Sequence, residues 1–175
     1  MVAIIDLQLV AYGNTKYVDG EFTCQHGEDE CTTDVFHSCV EYKLSGDVES
    51  IETGDTSLQA WPFIFCMEEA EGDPTQAESC YNSSMNSTGI PWSTIDSCSN
   101  DESYLVQTTA MKATIPHDFV PWVTVDGEYL EHTSLLQKAI CDAYTGTKPV
   151  SCRGRALVTN ERDVGRCYVE SNRRK

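Results

Sequence analysis

Nine cysteines in 175 residues constrain this chain more than any other feature. A reduced cytosolic protein rarely carries so many, whereas a chain in an oxidising compartment uses them as covalent staples. Cys24, Cys31, Cys39, Cys66, Cys80, Cys98, Cys141, Cys152 and Cys167 are therefore all disulfide candidates. Their number is odd, so at least one sulfur is left over. The pairing is not legible from spacing, because eight paired cysteines allow about 105 arrangements for each choice of the odd one. Two acceptor sequences for N-linked glycans, Asn82-Ser83-Ser84 and Asn86-Ser87-Thr88, point to the same compartment and to a surface loop. Against this stands the N-terminus, where Met1 to Asp6 has no basic segment and Asp6 interrupts the apolar run, so these residues do not read as a signal peptide.

Cys24, His26, Cys31, His37 and Cys39 also contain the atoms of a zinc site. Structural zinc usually needs close knuckles that aim two sulfurs at one ion, and this spacing has none. Disulfides are the expected use, and no metal or cofactor is expected. His26 and His37 read as structural, and Cys31, beside Glu28, Asp29 and Glu30, as an inert, bridged sulfur. Glu68, Glu69 and Glu71 read as a solvated helix end.

Acidic side chains outnumber basic ones 28 to 12, and the net charge of −16 repels phosphate backbones, so a nucleic-acid partner is not expected. The charge is uneven: residues 148–175 hold eight of the basic and three of the acidic side chains, net +5, which leaves −21 for residues 1–147. That last segment reads as a basic, cysteine-containing tail able to fold back on an acidic body. No apolar stretch approaches the roughly 20 residues of a membrane span.

Hydrophobic patterning organises the rest. Ile4 to Val10 predicts a strand closing at Tyr12-Gly13-Asn14, and residues 30–44, with Cys31, Val35, Cys39 and Tyr42 on one stripe, predict an amphipathic helix ending at Gly46. Trp61 to Met67 fits a buried strand or a helix, with helix preferred. Shorter helices are predicted at 74–81, 91–98 and 101–112, with Pro91 in a first turn and Asn100 as an N-cap. Phe119 to Val125, Asp126-Gly127, and Glu128 to Leu130 predict a hairpin, because Asp-Gly tolerates the positive φ of a two-residue turn. A helix capped by Thr133 and carrying Leu135, Leu136, Ala139, Ile140 and Ala143 is predicted to follow, up to Gly146.

Cys24-Gln25-His26-Gly27-Glu28-Asp29-Glu30-Cys31, continued by Asp34 and Cys39, resembles the signature CQHGxxECxxNxxxxC of the gamma-interferon-inducible lysosomal thiol reductase family. Every fixed position matches except the Asn, where this chain has Asp34. Leu9-Val10-Ala11-Tyr12-Gly13-Asn14, Cys66-Met67-Glu68-Glu69 and Val120-Pro121-Trp122-Val123-Thr124-Val125-Asp126-Gly127 are further family-like landmarks in order, so the resemblance covers roughly residues 4–146.

The resemblance implies an α/β (α+β) fold: a thioredoxin-like core in residues 1–147, interrupted by a helical disulfide-rich insertion over 15–115. It implies reduction of disulfide-containing protein substrates by thiol-disulfide exchange, in lysosomes or outside the cell. It also implies that Pro121 is a substrate-facing cis-proline, preceded by Val120. That chemistry requires a CxxC pair at a helix N-terminus, one thiolate attacking and the other resolving. No two cysteines of this sequence have that spacing. In the family the first strand and the CxxC helix precede the segment that starts this chain. The expectation is therefore an N-terminally incomplete copy, inactive as given, in which the strand at 4–10 either pairs with 119–125 or leaves its edge unpaired. The competing class is a non-enzymatic, disulfide-stapled secreted binding or structural protein.

Overall fold

A computed structural model describes residues 4–153 and 167–168. The chain is mixed α and β, and it divides into two compact units. One spans Asp6–Pro116; the other joins the N-terminal residues through Ile5 to the stretch from His117 onward.

The larger unit opens with a small ladder in which β1 (Lys16–Val18) pairs antiparallel with β2 (Glu21–Thr23) across Asp19-Gly20, both at positive φ. Six helices follow: α1 (Glu28–Ser45), α2 (Ser50–Thr53), α3 (Ser57–Glu69), α4 (Ala77–Ser84), α5 (Trp92–Asp101) and α6 (Ser103–Ala113). α1 is central and packs on α2, α3, α5 and α6. Glu28, Asp29 and Glu30 in its first turn complement the helix dipole, and Gly46 closes it in the left-handed conformation, its N–H donating to the Tyr42 carbonyl at 2.8 Å. Because helices surround α1, every residue from Val35 to Glu41 is buried. The core joins Val35, Phe36, Cys39 and Val40 to Phe63, Ile64 and Met67 of α3, Ile95 and Cys98 of α5, and Val106 and Ala110 of α6. Each large apolar side chain buried there contributes about 1.5–3 kcal/mol.

Four disulfides staple the chain: Cys24–Cys31, Cys39–Cys98, Cys66–Cys80 and Cys141–Cys152. The first three lie in the larger unit. Cys39–Cys98 ties α1 to α5, and Cys66–Cys80 ties α3 to α4.

The smaller unit carries β3 (Phe119–Val120), β4 (Thr124–Val125), β5 (Glu128–Tyr129), α7 (Leu136–Ala143) and β6 (Cys167–Tyr168). β4 and β5 pair antiparallel across Asp126 (φ 50°) and Gly127 (φ 82°), as the Asp-Gly sequence predicts. Trp122 stacks on Tyr129 with ring centroids 4.2 Å apart, and Phe119 meets Trp122 edge-on at 5.2 Å. Cys141–Cys152 and a bond from Gln137 Nε2 to the Ser151 carbonyl (2.9 Å) hold the segment after α7 against it.

Several expectations are corrected. Residues 5–10 form no strand. The segment meets helices instead: the Leu9 N–H donates to Ser57 Oγ at 3.0 Å, the Gln8 amide donates to the Glu52 carbonyl, and Leu9 and Val10 pack on the helical core. Gly54 (φ 77°) permits this approach, since a Cβ there would lie 2.8 Å from Gln8 Cα. The predicted strand from Phe119 to Val125 is two short pieces interrupted around Pro121, and β3 takes β6 as its partner, not the N-terminal segment. Asn100 is no N-cap: it lies in the last turn of α5, where its Nδ2 donates to the Asp96 carbonyl at 2.7 Å. Thr133 belongs to a short 3-10 turn, Thr133–Leu135, ahead of α7, which ends at Ala143 short of Gly146. α3 starts at Ser57, with Pro62 inside it. The bond that Pro62 cannot donate would go to the carbonyl of Leu58.

Candidate functional site

The signature residues fold into a single cap at the head of α1. Gly27, at φ 105°, is the residue just before the helix, a conformation that L side chains rarely adopt. Cys24 and Cys31 are joined across this turn, with Cα atoms 5.5 Å apart. Around the disulfide, Thr15 Oγ1 donates to Cys24 Sγ at 3.1 Å, and Asn14 Nδ2 donates to Gln25 Oε1 at 2.8 Å. Glu30 turns back on the entering chain: its Oε2 accepts the His26 N–H at 2.6 Å, and its Oε1 lies 3.2 Å from His26 Nδ1. This resembles the reciprocal half of a capping box. The cap is a closed arrangement in which both sulfurs are bonded, so it offers no thiolate for attack.

Cys39, the last cysteine of the signature, is fully buried one stretch further along α1 and bonded to Cys98. From Asp34 to Glu41, α1 carries three titratable groups whose environments move them far from their usual ranges. Burial raises Asp34 to about 7, and Glu30 and Glu68 add repulsion in the same direction. Burial lowers His37 to about 4; its Nε2 has no hydrogen-bond partner among the described residues, and the ring meets Phe63 edge-on at 5.8 Å. Burial raises Glu41 to about 7, opposed by a hydrogen bond from Ser57 Oγ. Asp34 and Glu41 escape the hydrophobic pattern because surrounding helices cover what reads in sequence as the polar side of α1. Glu102, between α5 and α6, is held below its ordinary range by Lys43, whose Nζ lies 2.5 Å from Glu102 Oε1.

The other predicted residues lie apart from this cap in sequence, and Val120 and Pro121 belong to the smaller unit. The Val120–Pro121 peptide bond is cis, at the end of β3. Asn82 is exposed on α4 and Asn86 is exposed in the 3-10 turn Asn86–Thr88. Glu68, Glu69 and Glu71 are exposed at the end of α3. The eight cysteines from Cys24 to Cys152 all pair among themselves. No helix among the described residues is long and apolar enough to cross a membrane.

Comparison with known proteins agrees with the signature. The sequence profile of the family "Gamma interferon inducible lysosomal thiol reductase" matches residues 1–84. A gamma-interferon-inducible lysosomal thiol reductase of Carassius auratus is 32% identical over 163 residues, which cover 85% of this chain and 59% of that protein. A gamma-interferon-responsive lysosomal thiol protein of Arabidopsis thaliana is 31% identical over 91% of this chain and 66% of its own length. The gamma-interferon-inducible lysosomal thiol reductase of Mus musculus is 30% identical over 96% of this chain and 65% of its own length. The chain thus spans about three fifths to two thirds of the curated relatives it matches. With the CQHG turn and its paired sulfurs at the head of α1, residues 1–84 match the gamma interferon inducible lysosomal thiol reductase family, and curated relatives bearing related names are about 30% identical to this chain over most of its length.

Proposed function

We propose that this chain forms the stapled scaffold and client-binding portion of a protein disulfide reductase, with a thioredoxin-like arrangement around the Val120–Pro121 segment. The observation that carries this reading is the signature cap itself, a Cys24–Cys31 disulfide at the head of α1 in a chain otherwise similar to thiol reductases along its length. The clients are disulfide-containing proteins, and Val120 and Pro121 face them. Four disulfides and two exposed glycan acceptors, Asn82 and Asn86, support the secretory pathway, with a lysosomal or extracellular destination.

The 175 residues carry no CxxC, and eight of their nine sulfurs are already bonded in pairs. Reduction of a client disulfide transfers two electrons and needs a second sulfur to resolve the mixed disulfide. The chain alone therefore does not turn over. The test is insulin reduction with dithiothreitol: precipitation of the released B chain should follow the rate of dithiothreitol alone when this chain is added. Acceleration proportional to the concentration of the chain would refute the reading.

A further inference from the structure

The helix α3 is apolar on two sides. Ala60, Phe63, Ile64 and Met67 are buried in the larger unit, yet Leu58, Trp61 and Phe65 lie on the opposite side of the helix and are 38%, 43% and 47% exposed. Exposed apolar residues scattered singly need no explanation, but these three share one stripe, and the Trp61 and Phe65 rings lie 5.8 Å apart. Leaving such rings half in water forgoes part of the about 1.5–3 kcal/mol that burying a side chain of this size contributes. We propose that this outward face of α3 is the docking surface for a cationic amphipathic helix of a partner protein.

Spacing and charge both identify the occupant. Leu58, Trp61 and Phe65 stand at i, i+3 and i+7, the alternation with which one helix seats another along a seam, and Glu68 continues it by one step. A partner helix therefore meets three apolar positions and then a carboxylate. The charge around the seam has one sign. No Lys, Arg or His occurs between Lys43 and Lys112, and the charged residues nearest the stripe along the chain, Glu52, Asp55, Glu68, Glu69 and Glu71, are acidic and exposed. The helices that α3 packs on, α1 and α4, supply no free cation at its side: α4 has no basic residue, and Lys43 of α1 is engaged with Glu102. A second copy of this chain would set acid against acid, and an anionic bilayer would be repelled in the same way. A helix with leucines on one face and lysines or arginines beside them matches both the seam and its rim.

The experiment uses the full chain and three labelled peptides: one of leucine and lysine with leucine repeating at i, i+3 and i+7, one with the same residues scrambled, and one with the first pattern but glutamate in place of lysine. By fluorescence anisotropy the patterned lysine peptide should bind about tenfold more tightly than either control. Trp61→Ser with Phe65→Ser should weaken that binding about tenfold, and Glu68→Lys with Glu69→Lys by a similar factor, while Tyr104→Ser with Leu105→Ser, an exposed pair on α6, should leave it unchanged. The two control peptides are read on the unmodified chain, so the proposal stays testable whatever a variant does to folding. Equal binding of the patterned and scrambled peptides would overturn it, leaving only attraction between net charges. Sedimentation equilibrium showing the unmodified chain dimerising by itself through Trp61 and Phe65 would overturn it in favour of a second copy. Binding to phosphatidylcholine vesicles that is lost with Trp61→Ser, with none to the patterned peptide, would overturn it in favour of a membrane surface.

Discussion

The side chain of Glu41, buried in the C-terminal half of α1, accepts the hydroxyl of Ser57 at the start of α3, and the same Ser57 oxygen accepts the Leu9 N–H at 3.0 Å. One hydroxyl thus joins the central helix, its neighbour and the N-terminal segment. The Glu41 main-chain carbonyl is tied in as well, accepting from Thr56 Oγ1 at 3.0 Å and Ser50 Oγ at 3.2 Å. Ser57→Ala removes a donor to the ionised carboxylate and leaves the Leu9 N–H unpaired. The expected loss is about 1–3 kcal/mol, measured by urea unfolding. The loss should be larger at pH 8 than at pH 5, because at pH 5 Glu41 is protonated and no longer carries the charge that the bond supports.

Asp34 stands where the resembled family pattern has Asn. Its carboxyl, raised to about 7 from an ordinary 3.8 by burial and by Glu30 and Glu68, is neutral in acid and so presents a polar group like an amide. The sign follows from linkage: the proton is held in the folded state and lost in the unfolded one between those two values, so stability falls as pH rises toward 7 and levels off above it. Asp34→Asn should therefore stabilise the chain by about 1–3 kcal/mol at pH 8 and by little at pH 4.5. Thermal melts of both proteins across pH 4–8 check this, and a gain of equal size at every pH would contradict it.

His37 acts in the opposite direction. Its folded value of about 4 lies below the ordinary 6.5, so its contribution is intact above 6.5 and is lost as pH falls from there toward 4. His37→Leu removes both this acid penalty and the unpartnered Nε2. The variant should gain about 1–2 kcal/mol at pH 5, with a smaller gain at pH 7.5. A melting temperature lower than that of the unmodified chain at pH 5 would show that the imidazole has a partner after all.

The disulfides differ in the length of chain they close. Cys39–Cys98 spans 59 residues and Cys66–Cys80 spans 14. Loop-entropy reasoning gives about 4 kcal/mol for the first and about 3 kcal/mol for the second. Replacing Cys39 and Cys98 by Ala should lower the melting temperature more than replacing Cys66 and Cys80. The reverse order would mean that local geometry outweighs chain entropy here.

Much of this molecule can be read from local signals. The Asp126-Gly127 hairpin turn, the helix around residues 30–44 with Gly46 past its end, and the helical character of Trp61–Met67 each follow from propensity and spacing within one segment. The signature from Cys24 to Cys39 was likewise visible as a spacing. What resisted reading was everything that depends on a distant partner. The N-terminal apolar run looks like a strand, yet a strand needs a neighbour to satisfy its backbone, and this run found helices and the Ser57 hydroxyl instead.

The sequence alone therefore determined composition, turns, helix faces and the family signature, because these are properties of residues a few positions apart. Only the tertiary structure decided which sulfurs meet, that α1 is enclosed from Val35 to Glu41, and that β6 pairs with β3. Burial is a property of what packs from elsewhere in the chain. The same enclosure that makes α1 the centre of the larger unit turns Asp34, His37 and Glu41 from surface polar residues into groups that titrate far from their usual range.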